Sequence, residues 1–263
     1  MKRKKIGLAL GGGGARGYAH IGVIKTLVEN NIPIDIIAGT SVGAMIGGLY
    51  ATLGDIAKVE EITGRINFWE GLKRYVDPVW EEGFIKGEKI EQGMRDLVGK
   101  TRIEDLPIKF GAVATDLNTA EVVLIEKGDM ARAVRASASI PLLFAPVKIG
   151  ERNLVDGGLS CPVPVEQVKQ MGADVVIGVN LDSAYFLPEN RMKGKMSAMN
   201  VLKNSLFLLK YHLAITEVRE ADIVINPKIP YVMEFEFSRQ KEIIEGGRET
   251  TRELIEQIRA ELA

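Results

Sequence analysis

Cysteine and histidine are nearly absent from this 263-residue chain: there is one cysteine, Cys161, and two histidines, His20 and His212. A lone cysteine excludes an internal disulfide and suits a reducing compartment, so the expected location is the cytoplasm. With no His/Cys cluster and no EF-hand loop, neither a metal nor another cofactor is expected. Excess charge is lacking as well. The formal net charge is −1, which leaves no basic field for a nucleic acid partner. No apolar run approaches the length of a membrane span. The opening "MKRKKIGLALGGGGARG" follows the basic-then-apolar order of a secretion signal. Its apolar run is short, however, and ends in glycines and Arg16 with no A-x-A cleavage site after it. It therefore reads as mature protein that supplies the first strand. Neither a repeat nor a low-complexity linker interrupts the chain. Strand-like and helix-like runs alternate regularly, which argues for one α/β domain over residues 1–263.

Glycine is abundant where it matters. "GGGGARGYAHIGV" (11–23) places four consecutive glycines between the apolar run "KKIGLAL" and a helical pattern in which Ala19, Val23, Ile24 and Leu27 share a face. Asn30 and Asn31 offer a stop. A strand, a glycine loop and a helix start form an anion-binding device, because free N–H groups point out of a helix N-terminus. Two anions compete for it. Gly12, Gly14 and Gly17 fit the dinucleotide fingerprint G-x-G-x-x-G. That fingerprint also requires an acid at the end of the next strand, and "IDIIA" (34–38) carries only Asp35, at its start. The other anion is a transient oxyanion met by the loop amides.

The residues after that strand favour the oxyanion. "GTSVG" (39–43) is a G-x-S-x-G match with a strand before it and the helix "VGAMIGGLYATLG" after it. Gly39 and Gly43 leave room for a strained elbow exposing the Ser41 hydroxyl, and the helix points its positive end at that hydroxyl. The string also arises by chance in many chains. Here its context, one βα unit beyond a glycine loop, supports the chemical reading. A serine needs a base. Neither histidine stands in a loop after a strand, and each reads as a packed or half-exposed helical residue, which disfavours a Ser-His-Asp triad. "NLVDGGLSCPVPV" (153–165) puts Asp156 at a strand end before Gly157 and Gly158. On these residues alone a plain hairpin corner is the favoured reading of Asp-Gly.

Taken in chain order, "GGGARG" (12–17), "GTSVG" (39–43) and "DGG" (156–158) resemble the patatin-like phospholipases, in particular the compact bacterial members. "AVRASASIPLLFAPV" (133–147), "FGAVATDLNTAE" (110–121) and "DVVIGVNL" (174–181) extend the resemblance over roughly residues 5 to 182. It implies a three-layer α/β/α sandwich with a mostly parallel central sheet. It further implies a lipid acyl-ester hydrolase with a Ser-Asp dyad and no catalytic histidine. Ser41 would be the nucleophile and Asp156 the base. Gly12, Gly13, Gly14 and Arg16 would form the oxyanion hole, supported by Gly17, Gly39, Gly43, Gly157 and Gly158. One departure is local: Ser160 and Cys161 stand where the family often has asparagine after D-G-G. Arg16 has two readings, bracing the glycine loop or attracting an anionic head group, and bracing is favoured. Asp116 and Arg135 read as structural ion-pairing residues.

Strands are expected at 5–10, 34–38, 109–115, 121–126, 145–149, 152–156, 174–181 and 221–226. Helices are expected at 15–29, 42–53, 129–138, 164–171, 196–220 and 239–262, with helical pieces up to about residue 98. Residues 181–195 read as a loop. The aromatic segment 66–84 and the Met/Leu-rich segment 195–215 read as core or dimer packing, with contact to a membrane or an acyl chain as the alternative. Besides the acyl-ester hydrolase, two readings stay open: a nucleotide-binding α/β protein using the glycine loop, and a non-catalytic, membrane-associated scaffold on the same fold.

Overall fold

Buried parallel strands need apolar side chains on both faces, and the short runs of this chain supply them. The computed structural model describes residues 3–65, 78–79, 84–85, 87–183, 197–230, 232 and 236–262. Most of the aromatic segment 66–84 and of the loop reading at 181–195 lies outside them. The strands are β1 (Ile6–Leu10), β2 (Ile36–Thr40), β3 (Pro78–Val79), β4 (Phe84–Ile85), β5 (Lys109–Asp116), β6 (Val122–Ile125), β7 (Val147–Ile149), β8 (Arg152–Asp156), β9 (Val175–Val179) and β10 (Ile223–Ile225). The helices are α1 (Tyr18–Glu29), α2 (Val42–Leu53), α3 (Ile56–Arg65), α4 (Glu88–Val98), α5 (Met130–Ser137), α6 (Val165–Gln170), α7 (Ala198–Val218) and α8 (Gln240–Leu262).

The main sheet runs β10-β9-β1-β2-β5-β8-β7, with β6 also paired to β5. Strands β10, β9, β1, β2 and β5 are parallel, and β6, β7 and β8 are antiparallel additions at one side. This is the mostly parallel sandwich expected. Alternation assigns the two faces: Leu8, Leu10 and Ile37 pack under α1, α2, α5 and α8, whereas Ala9, Ile36 and Ala38 pack under α6 and the end of α7. On the first face α1 and α8 touch backbone to backbone. A Cβ on Gly22 would stand 2.0 Å from the Ile244 carbonyl oxygen, and one on Gly247 would stand 2.3 Å from that of Ala19.

Element ends shift by a few residues from expectation, for local reasons. The glycine loop closes as a 3-10 turn over Gly14–Gly17 before α1 begins. Strand β9 stops at Val179 because Asn180 caps the next turn, its Oδ1 accepting the Asp182 N–H at 3.0 Å. After Asp156 the chain makes a 3-10 turn, Gly157–Leu159, rather than a hairpin.

Helix α7 is anchored mainly by its second half, where Ala214 and Val218 are buried. Toward its start Met199, Leu202, Leu206 and Leu209 are exposed, Leu209 at 63%, so core packing does not describe that part of residues 195–215. Glu217 ties the helix down by accepting the Val163 N–H at 2.8 Å. Burial pushes its carboxyl up from 4.5 to about 7. The folded state therefore holds this proton over a range in which the unfolded chain has lost it. Stability from this group is fullest below pH 4.5 and is lost as pH rises toward 7. Glu217→Gln is expected to remove that slope, gaining on the order of 2 kcal/mol at pH 8 over wild type and little at pH 4.5, as read by urea unfolding at the two pH values.

Candidate active site

Three strand ends converge at the carboxyl edge of the parallel sheet, beside β1, where the chain order reverses and α/β proteins place their ligands. The glycine loop leaves β1, Ser41 follows β2, and Leu181 and Asp182 follow β9. Asp156 ends β8. Its register brings it level with Ser41, because Thr40 pairs with Val113 of β5 and the neighbouring Ala114 pairs with Asp156.

Ser41 sits in the turn between β2 and α2 with φ 55° and ψ −119°. A non-glycine residue in this region stores about 1–3 kcal/mol of strain. The neighbours make it possible. A Cβ on Gly43 would stand 2.1 Å from the Leu10 carbonyl oxygen, and one on Gly39 would stand 2.4 Å from Gly43 itself. The Ser41 N–H donates to Ser137 Oγ at 2.8 Å, and that hydroxyl donates to the Val113 carbonyl at 2.6 Å. The Ser41 hydroxyl is thereby aimed at Asp156, donating to Oδ2 at 2.7 Å.

Asp156 is buried, and its second oxygen, Oδ1, accepts the Gly158 N–H at 2.8 Å. Burial raises its carboxyl above the usual range. The Ser41 hydroxyl, the Gly158 amide and nearby Lys210 oppose that rise, and Asp182 adds to it. The turn is locked to the serine strand, since Thr40 Oγ1 donates to the Cys161 carbonyl at 2.8 Å and the Cys161 N–H returns to Gly157 at 2.7 Å. In place of the family's asparagine, Ser160 Oγ meets Thr115 Oγ1 at 2.8 Å.

The glycine loop lies directly beside Ser41: a Cβ on Gly12 would come within 3.3 Å of the Ser41 Cβ. Its amides are not equivalent. Gly12 N–H is committed to the Pro162 carbonyl at 3.0 Å, so Gly12 contributes closeness rather than a donor. Among the described residues, Gly13 N–H and Gly14 N–H have no protein acceptor. Arg16 turns back onto the loop and the Leu181–Asp182 segment. It is buried, with Nε on the Gly13 carbonyl at 3.1 Å, Nη1 on the Leu181 carbonyl at 3.3 Å and Nη2 against Asp182 at 3.0 Å. That arrangement braces the loop. Gly17 ends the 3-10 turn against Val42.

Residues 8–169, more than half of the chain, match the patatin-like phospholipase family. The chain belongs to the patatin-like phospholipase family. Over 184 residues it is 41% identical to an NTE family protein of Mycobacterium bovis, covering 68% of this chain and 50% of that one. Over 188 residues it is 33% identical to lysophospholipase NTE1 of Meyerozyma guilliermondii, covering 70% of this chain and 13% of that one. The chain thus spans at most half the length of these relatives. Two solved structures share the fold at 14% identity. VipD from Legionella pneumophila has a TM-score of 0.58, covering 97% of this chain and 67% of that one. The type III effector ExoU has a TM-score of 0.57, covering 99% and 54%.

The remaining candidates of this patatin-like chain fall outside the Ser41–Asp156 pair. His20 is buried; its Nε2–H donates to the Gly11 carbonyl at 2.7 Å, and burial pushes its pKa down to about 4. It is a neutral packed histidine, and His212 is exposed on α7. Asp116 pairs with Arg152 at 3.7 Å. Arg135 donates to the carbonyls of Gly87 and Ala145 and to the Ser139 hydroxyl, and stacks over Phe144. At the end of β2, where a ribose-binding acid would be needed, stands the buried Thr40. Among the described residues no cluster of three or more His, Cys, Asp or Glu could hold a metal, and no helix is long and apolar enough to cross a membrane. Sequence reasoning did not single out Ser137, Asp182 or Lys210, whose roles arise from distant contacts.

The elbow rests on the bare Cα of Gly43. Gly43→Ala is expected to lower unfolding stability by about 2–3 kcal/mol, measured by urea denaturation, because the Leu10 carbonyl it would strike is part of β1 and cannot step aside.

Proposed function

We propose that this chain is a serine hydrolase of lipid acyl esters, of phospholipase A or lysophospholipase type, with Ser41 as nucleophile and Asp156 as its base. The observation that carries this reading is the direct 2.7 Å hydrogen bond from the Ser41 hydroxyl to a buried carboxylate. An aspartate in water, with a pKa near ~3.9, is too weak a base for a serine hydroxyl. Desolvation and contact with the hydroxyl raise its effectiveness. Ser41 Oγ attacks the ester carbonyl as its proton passes to Asp156 Oδ2. Negative charge builds on the carbonyl oxygen, and the unpartnered amides of Gly13 and Gly14 are the donors available to receive it. The carboxyl then protonates the leaving alcohol, and water resolves the acyl-enzyme by the same route in reverse.

The substrate class rests on the family and on relatives named lysophospholipases. The exposed Met199, Leu202 and Leu209 of α7 support peripheral contact with a lipid surface. The nucleotide-binding reading loses support, because Thr40 occupies the ribose-binding position and Gly12 N–H is already bonded.

Ser41→Ala and Asp156→Asn are each expected to lower kcat/KM at least 10³-fold with unchanged circular dichroism. The substrate is a mixed lipid extract followed by mass spectrometry, and a fluorophosphonate should label Ser41 in wild type alone. Unimpaired turnover by both variants would refute the assignment, as would tight binding of a dinucleotide without any esterase activity. The pH profile provides a second check. The base must be ionised to accept the proton, and burial places its pKa above 3.8. The kcat/KM profile should therefore rise with pH along an acid limb centred above 3.8 and then level. That limb should be absent from the residual activity of Asp156→Asn.

A further inference from the structure

Two cations, the buried Arg16 and the half-buried Lys210, meet on one carboxylate behind the glycine loop. Lys210, projecting from α7, places Nζ 3.0 Å from Asp182 Oδ2 and 3.1 Å from the carbonyl oxygen of Gly12. Arg16 places Nη2 3.0 Å from Asp182 Oδ1 and Nε 3.1 Å from the carbonyl oxygen of Gly13. Asp182 is 4% exposed and Arg16 2%. The stem of Lys210 passes the D-G-G turn: a Cβ on Gly158 would stand 3.1 Å from its Cε. Asp156 feels its charge.

The consequence follows from peptide planarity. The C=O of one residue and the N–H of the next belong to one rigid trans unit and point in opposite directions, and the described chain has no cis peptide. A grip on the Gly12 carbonyl therefore fixes the direction of Gly13 N–H, and a grip on the Gly13 carbonyl fixes that of Gly14 N–H. Among the described residues, neither of these amides has a protein acceptor. Glycine has no side chain to hold such a loop in place, so external clamps must do it. A cation at the carbonyl also polarises the peptide and strengthens its N–H as a donor.

Resting on the hydrolase reading above, we propose that Lys210 and Asp182 are positioning residues of the ester hydrolysis. Lys210 holds the Gly12–Gly13 peptide with its N–H aimed at the developing oxyanion, and Asp182 holds Lys210 and Arg16 in the poses that clamp both loop peptides. Neither side chain touches the reacting atoms. Their effect belongs to the transition state, in which the carbonyl oxygen becomes anionic, and not to substrate binding.

The test compares Lys210→Met, which keeps an apolar stem of similar length, with wild type on a short-chain nitrophenyl ester and on its thiono analogue, whose sulfur accepts hydrogen bonds weakly. Lys210→Met is expected to lower kcat for the oxygen ester about 10²-fold, with KM within about twofold. The thiono ester should lose much less, so the ratio of oxygen-ester to thiono-ester rates falls. Asp182→Asn should shift the ratio in the same direction and further, since it loosens both clamps. Equal losses on both esters would reveal a merely structural role and overturn the proposal, as would an unchanged kcat. Should Lys210→Met fail to fold, Lys210→Arg, which keeps the cation but displaces it, is read by the same ratio, and an unchanged ratio again overturns the proposal. If wild type turns over neither ester and resists fluorophosphonate, it is the hydrolase reading that fails.

Discussion

The exit of β1 and the start of α2 approach each other as closely as two backbones can, and everything at the candidate site depends on that approach. With only a hydrogen on the Gly43 Cα, the Leu10 carbonyl lies against the helix start. This seats the glycine loop next to the residue preceding the helix, which is Ser41. The left-handed conformation of Ser41 is tolerable because the surroundings over-determine it: its N–H is held by Ser137, its hydroxyl by Asp156, and the preceding Thr40 by the Cys161 carbonyl. Local strain is offset by bonds from two separate parts of the chain, α5 and the turn from Asp156 to Cys161.

The antiparallel edge has a related use. A purely parallel sheet delivers every strand end to the same edge from the same direction. By running β8 against β5, the fold carries a carboxylate to the level of the serine and then turns away through Gly157 and Gly158 into α6. Asp156 thus arrives on a strand, with little freedom, within direct hydrogen-bond reach of Ser41.

The strands of the main sheet, the two glycine turns and the serine elbow were legible in the sequence because their signals are local: an apolar run, a glycine cluster, a helical stripe; the short β3 and β4 lie where helical pieces were expected. Asp156 was half legible. D-G-G marks a turn, but whether it closes a hairpin or enters a helix depends on Thr40 and Val113, far upstream. The division of labour within the glycine loop was legible only in part. Gly12 loses its donor to Pro162, which no local signal marks, whereas Arg16 turns inward to Leu181 and Asp182 in keeping with the bracing reading. Lys210 reaches the loop from 198 positions away, and within its own helix it looks like one more solvated lysine. No local pattern marks such a contact, since only the folded sheet brings α7 over the ends of β1 and β9.

Only one oxygen of the Asp156 carboxylate faces the serine, because the other is tied to the Gly158 amide. In the proposed reaction a proton taken up on Oδ2 has no second oxygen from which to leave. Attack and departure must share a single door. The alcohol portion of the ester has to swing into the position just vacated by the serine hydrogen, and the incoming water must later stand there in turn. A bulky alcohol that cannot make that small rotation would stall the proposed cycle after attack, so this geometry would screen leaving groups by shape.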